Sequence, residues 1–247
     1  MRSFLASIAF LTRIPVGSRV AFDPKDVGSS AAWFPIVGAL IGGFSVAGLL
    51  LFQRIFPPLI TSALIVAIGA LVTGALHLDG LADTADGFGA GRTPEDALRI
   101  MRDHAVGSYG TVAVVLDVVL KVTAIAALIE RAGAWRYLIL APALGRWSTV
   151  LLSATLPYAR RDEESPSKGA VAGLIKKREL AIATVCAIAI AAGTAGWRAI
   201  IYCSLIVAIT ALWGWLSVCR IHGITGDTLG AAVEISEIAV LLLAVVQ

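Results

Sequence analysis

Charge is scarce in this chain: Asp, Glu, Lys and Arg together make 15% of its 247 residues, against 58% apolar. That balance, with a mean hydropathy of +0.86, excludes an ordinary water-soluble domain, whose surface needs far more polar side chains. Cysteine is nearly absent. Cys186, Cys203 and Cys219 stand alone within apolar runs, which excludes a disulfide framework or a zinc finger and reads as small core hydrophobes. Aromatics make only 7%, and Trp135, Trp147, Trp197, Trp213 and Trp215 suit membrane-interface anchors as well as ligand contacts. No long basic tract occurs either, and the net charge of +3 does not signal nucleic-acid binding.

What is present is a series of long apolar runs. A helix needs about 20 such residues to cross a bilayer core, and seven runs qualify: 30–53, 59–76, 111–129, 135–156, 180–196, 199–219 and 229–246. The expected fold is therefore all-α, a polytopic transmembrane bundle of about seven spans forming one integral-membrane domain over 1–247, with a polar helical insert at 77–110. With the N-terminus inside, fourteen Lys and Arg residues fall on the cytoplasmic side and four, Arg54, Arg131, Arg136 and Arg198, on the other. By the positive-inside rule this orients the chain in the cytoplasmic (inner) membrane with its polar insert facing the cytoplasm. The short run from Phe4 to Leu11 is stopped by Pro15 and is expected to lie in the membrane interface rather than to be a cleaved leader. Gly-rich GALIGG at 38–43 would let two helices approach closely, the plainer alternative being a membrane helix's ordinary tolerance for Gly. Lipid is the expected surroundings, and the pattern leaves a homo-oligomer open.

The densest chemistry lies in HLDGLADTADG, His77 to Gly87. On a helix, Asp79, Asp83 and Asp86 fall at about 0°, 40° and −20°, so three carboxylates share one narrow face. Like charges so close call for a cation, and an all-oxygen set suits Mg²⁺ with phosphate and water; the plainer alternative is a solvated loop of N-capping aspartates. Downstream, Thr93 is placed to cap a short helix opening on Pro94 and leading to Arg99, Arg102 and Asp103. The GFGAG run at 87–91 follows no strand and is no dinucleotide loop. A second polar segment, TGDTLGAAVEISE at 225–237, supplies Asp227, Glu234 and Glu237. Glutamates in an apolar terminal helix should face the bundle interior or a wet cavity, while Gly230 and Ala231 leave that flank low. Lys121, four residues after Asp117, is expected to pair with it. Arg146 has no local partner and should meet an acidic group or a substrate phosphate. In the charged loop at 157–179, Arg160 and Lys168 are candidates for anionic ligands.

HLDGLADTADG, MRDHAVGSYG at 101–110 and TGDTLGAA at 225–232, together with TRIPV at 12–16 and Lys121, closely resemble the cobalamin synthase family, the adenosylcobinamide-GDP ribazoletransferases. The resemblance runs over nearly the whole chain in motif order. It implies a Mg²⁺-dependent membrane transferase of late cobalamin assembly, joining adenosylcobinamide-GDP to α-ribazole or α-ribazole 5′-phosphate with release of GMP. Under that reading Asp79, Asp83 and Asp86 hold the metal, and His77, Arg102 and Lys121 hold phosphate oxygens, with Arg146, Arg160 and Glu234 as further substrate contacts. Asp103 or Asp227 is the base. Two rivals are a CDP-alcohol phosphotransferase, whose signature would place Arg where this chain has Asp83, and an ion-coupled transporter using Asp117, Lys121, Glu234 and Glu237.

Overall fold

The computed structural model describes residues 2–16, 28–103, 105–131, 133–160 and 175–247, and every regular element among them is a helix. His104 and Lys168 lie outside the described residues. The elements are α1 (Arg2–Leu11), α2 (Phe34–Phe52, entered through a 3₁₀ turn at Ala31–Trp33), α3 (Pro58–Thr73), α4 (Leu76–Ala90), α5 (Pro94–Ile100), α6 (Ser108–Ile129), α7 (Ala134–Thr155), α8 (Lys177–Ala195), α9 (Ala199–Ile221) and α10 (Gly226–Val245). Among the described residues five stretches are long and apolar enough to cross a membrane, and a sixth counts if α3 and α4 are taken as one bent span.

The seven-span expectation is thus approximate, for two reasons. Lys177–Ile221 is one 45-residue apolar stretch, which the sequence divides at Gly196, where the backbone turns to φ 61°. Run 59–76 is cut short by a turn. Gly74 takes φ 66° and Ala75 φ 58°, two successive left-handed residues that cannot continue a helix, and α4 leaves at 91° to α3. At 15 residues with three aspartates, α4 is too short and polar to cross by itself, and we take the span to end at Thr73. The fold is all-α as expected. The cysteines are a correction: Cys219 is exposed and the other two half-buried, because their helices turn those faces outward from the bundle.

Helix α7 is the centre of the bundle, packed against α2, α8, α9 and α10. Pro142 inside it lacks an N–H, so the Leu138 carbonyl loses its helical partner. Gly42 of α2 lies directly against that carbonyl, where an added Cβ would come within 2.4 Å of Leu138 O. Gly38, one turn earlier, would meet Pro142 O at 2.3 Å. These two glycines are the close approach expected of GALIGG, a small-residue stripe of the membrane-helix kind. Gly42→Ala must therefore push α2 off α7, at a cost of about 1–3 kcal/mol. A lowered thermal midpoint of the purified protein checks this, and an unchanged midpoint refutes it.

The N-terminal α1 lies against the start of α2, with Phe4 edge-on to Trp33 at 5.7 Å and Phe10 stacked on Phe34 at 5.8 Å. Arg13 N–H donates to Val72 O at 2.7 Å, tying this segment to the end of α3 just before the turn into α4.

Candidate active site

Two short-range capping devices build the site. Thr225 and Thr228 form a reciprocal box at the start of α10: Thr225 Oγ1 accepts from Thr228 N–H at 3.2 Å and Thr228 Oγ1 accepts from Thr225 N–H at 2.8 Å. TGDT encodes this start, and it places Asp227 in the first turn, where the helix dipole favours a carboxylate. At the far end of α4, Asp86 caps α6, its Oδ2 accepting from Gly107 N–H at 2.6 Å and its Oδ1 from Gly110 N–H at 2.9 Å. The segment before α6 is thereby pinned to α4.

Helices α4 and α10 cross at glycines. A Cβ on Gly80 would reach Asp227 O at 2.8 Å, and one on Gly230 would reach His77 O at 3.2 Å, so nothing larger fits without parting the helices. This contact brings Asp227 beside the aspartate face of α4. Asp83 stands in the field of Asp227, Asp79 and Asp86, opposed by Arg160; burial first and these neighbours next push its carboxyl up to about 7. The loop after α7 is held to the start of α10 by Ala159 N–H on Ile224 O at 2.8 Å and Ile224 N–H on Pro157 O at 2.9 Å. That tether sets Arg160 Nη2 2.6 Å from Asp227 Oδ2.

Exposure along α4 is graded: Asp79 is open, Asp83 half-buried and Asp86 buried. Among the described residues no three His, Cys, Asp or Glu side chains stand together as a finished ion cage. The donor set nevertheless suits a hard divalent ion. It is all oxygen, its middle member resists ionising beside its neighbours, and each Asp86 oxygen keeps a second lone pair beyond its backbone bond.

Beneath this layer the first turn of α4 meets a buried ionic network. His77 Nδ1 lies 3.3 Å from Arg146 Nη2, and Arg146 pairs with Glu237. Lys121 pairs with Glu234, with Glu237 at 3.0 Å and with Asp117 at 3.3 Å. The expected Asp117 partner is there, but Lys121 is shared among three carboxylates, so the two cations expected to meet phosphate already face carboxylates. Burial of each cation depends on that pairing. The network forms the polar side of a small cavity. Its walls are aliphatic, among them Ile41, Ile65, Val66, Ile125, Leu138 and Leu241.

The remaining predicted residues lie on the turn after α5. Arg102 and Asp103 are exposed there, and Asp103 Oδ1 accepts from Ala105 N–H at 3.1 Å. Arg99 pairs with Asp96 on the surface of α5, holding the Asp96 carboxyl below its usual range. Glu237, expected to face the bundle interior with Glu234, does so and bridges Lys121 and Arg146. One residue escaped the sequence reading. Arg220 of α9 donates to the carbonyls of Phe88 and Gly91 and lies 5.7 Å over the Phe88 ring. It thereby caps the C-terminal end of the aspartate helix, and nothing local to it in sequence announces that.

With this geometry in place, comparison with known proteins is decisive over almost the full length. A family model described as cobalamin-5-phosphate synthase matches residues 3–245. The chain belongs to that family. Curated relatives named adenosylcobinamide-GDP ribazoletransferase include one from Chlorobaculum tepidum, 36% identical over 99% of this chain and 95% of its own length. Another, from Shewanella frigidimarina, is 38% identical over 95% of this chain and 90% of its own length. One from Clostridium botulinum strain Okra is 34% identical over 98% and 97%. No solved structure matches. The expectation of a multi-pass membrane transferase of cobalamin biosynthesis is met.

Proposed function

We propose that this enzyme joins adenosylcobinamide-GDP to α-ribazole or its 5′-phosphate, with Mg²⁺, releasing GMP. The observation that carries the reading is the contact of α4 with α10, which sets Asp227 beside Asp79, Asp83 and Asp86 in a chain matched from 3 to 245 by the family model. In this reaction a ribose hydroxyl oxygen bonds to the corrinoid-linked phosphorus, the anhydride bond to GMP breaks, and the hydroxyl proton must be accepted. Asp79, Asp83 and Asp86 would hold the metal, which when bound neutralises the diphosphate. Arg160, steadied by Asp227, lies at the same face and suits a phosphate oxygen. Of the two proposed bases, Asp227 is adjacent to the aspartates, whereas Asp103 is engaged in its own turn; Asp227 is the assignment we favour. Arg102 sits on the segment that Gly107 pins to Asp86 and would reach phosphate from there. His77, Lys121, Arg146 and Glu234 would act from beneath, as the floor against which the substrate rests.

The fourteen-to-four Lys and Arg bias supports a cytoplasmic-facing site in the inner membrane. The test uses purified protein and sealed vesicles with both substrates. GMP and the corrinoid product should appear in equal amounts, cease when chelator removes divalent ions, and resume when Mg²⁺ is restored. Inside-out vesicles should be active and right-side-out ones silent. Turnover that persists in chelator would remove the metal from the proposal, and absence of GMP in folded protein would remove the reaction.

A further inference from the structure

The TRIPV segment at 12–16 has no part in the chemistry above, yet it bonds to the turn that aims the aspartate helix. From Thr12 to Pro15 its backbone donors are accounted for. Thr12 N–H donates to Ile8 O at 2.9 Å, closing α1, and Ile14 N–H donates to Thr12 Oγ1 at 3.2 Å. Pro15 has no N–H. Only Arg13 N–H is directed out of the segment, to Val72 O at 2.7 Å. A threonine that accepts from the chain behind it and a proline that cannot donate leave one donor free between them.

That donor replaces one that the bend removes. In an unbroken helix through α3 and α4, Val72 O would accept from Leu76 N–H, four residues on. The left-handed pair Gly74 and Ala75 turns α4 through 91° and carries Leu76 N–H away from it. A carbonyl stranded at the end of a membrane span is costly, so Arg13 N–H stabilises the bent form over a straight one. The Arg13 side chain acts at the same place. Its stem lies against Gly74, where an added Cβ would come within 2.8 Å of Cγ and 3.0 Å of Cδ. Ala75 carries a Cβ at φ 58°, a strained backbone that persists only where its surroundings hold it. The segment is itself anchored to the bundle: Trp33 Nε1 donates to Ser3 Oγ at 3.2 Å, and Leu11, just before Thr12, is buried.

We propose that Arg13 is a positioning residue: by clamping the elbow between α3 and α4 it fixes the angle at which α4 presents Asp79, Asp83 and Asp86 to α10. The inference rests on the reaction proposed above for what those aspartates do. The elbow has its own reporters, the Ala75 and Asp79 amides, which donate to Ala70 O at 2.8 Å and Ala75 O at 2.9 Å. Hydrogen exchange of the full chain in lipid nanodiscs, followed by mass spectrometry in peptides spanning 74–80, is read beside turnover. Arg13→Pro lacks both the donor and the stem. It should speed exchange at the elbow about five- to tenfold, the scale of one hydrogen bond, and lower kcat about tenfold or more through misplaced carboxylates. Arg13→Gly keeps the donor and uncovers Gly74, and should fall between that variant and the parent. Arg13→Met keeps donor and stem and loses only the charge. It should match the parent in exchange and in turnover, a rescue that separates a clamp from a charge contact. Exchange within α7 should stay at the parent's level in all three variants. Arg13→Met impaired as much as Arg13→Gly overturns the proposal, because the guanidinium would then be gripping a substrate phosphate or a lipid headgroup. So does elbow exchange unmoved by Arg13→Pro, or faster exchange with undiminished turnover. If the unaltered protein releases no GMP, the reaction fails while the exchange series still decides whether Arg13 holds the elbow; GMP release with a flat series does the reverse.

Discussion

Asp83→Asn should lower turnover by about 10²- to 10³-fold, the scale of losing one preorganised electrostatic contact to a transferring phosphoryl group. Asp83 occupies the middle of the aspartate face, half-buried, with Asp79 and Asp86 along the helix and Asp227 across the α4–α10 contact. Asn keeps the shape and removes a charge that its surroundings already disfavour, so the fold should be undisturbed and the thermal midpoint level or slightly raised. This separates a ligand from a structural residue. If Asp83 holds Mg²⁺, activity of the variant should recover in part at raised Mg²⁺, because the remaining carboxylates bind the ion more weakly. Full activity at ordinary Mg²⁺ would end the metal assignment. Asp86 gives no such clean reading, since both its oxygens also cap α6 and its replacement would loosen that helix as well.

Lys121→Met should be the most destabilising single change in the bundle. Lys121 is 7% exposed and is the shared partner of Asp117, Glu234 and Glu237. Removing it leaves three carboxylates inside an apolar bundle with only Arg146 opposite one of them. Breaking a buried ion pair from one side costs about 3–5 kcal/mol, and here several acids lose their partner together. Thermal unfolding of purified protein is the measurement. Adding Glu234→Gln to Lys121→Met should restore part of the loss, because a neutral amide is cheaper to bury than an unopposed carboxylate. A Lys121→Met protein that melts like the parent would show that the pairing does not carry the cost of burial. A double variant no more stable than the single would show that Glu234 is not the acid left exposed.

Much of the molecule was legible because the signals were local. The 3.6-residue spacing that puts Asp79, Asp83 and Asp86 on one face needs only a helix, and α4 supplies it from Leu76 to Ala90. Thr93 caps α5 by accepting from Asp96 N–H at 3.2 Å, within four residues of chain. The Asp117 and Lys121 pair is one helical turn. Glycine in GALIGG announced close approach, and Gly42 makes it, though which carbonyl it would face depended on Pro142.

The rest joins residues far apart in the chain. Arg146 and Glu237 are 91 residues apart, Lys121 and Glu234 are 113 apart, and Arg220 caps α4 from 132 residues away. No periodicity relates such positions; each meeting depends on how α4, α6, α7, α9 and α10 dock. The number of spans was also beyond composition, since the apolar run at 59–76 does not reveal that the backbone turns left-handed at Gly74 and Ala75.

By itself the sequence determined a helical membrane chain, the one helix face that concentrates carboxylates, and the Thr93 cap, because apolar length, helical spacing and hydrogen bonds between near neighbours need no tertiary partner. Tertiary structure alone decided that Asp227 joins the aspartates, that buried Lys121 and Arg146 are shared among acids, and that a cavity opens beneath them. The physical reason is that a charge in an apolar bundle is tolerated only where an opposite charge from another helix meets it, and that meeting is fixed by glycine-to-backbone packing across helices that the linear order does not contain.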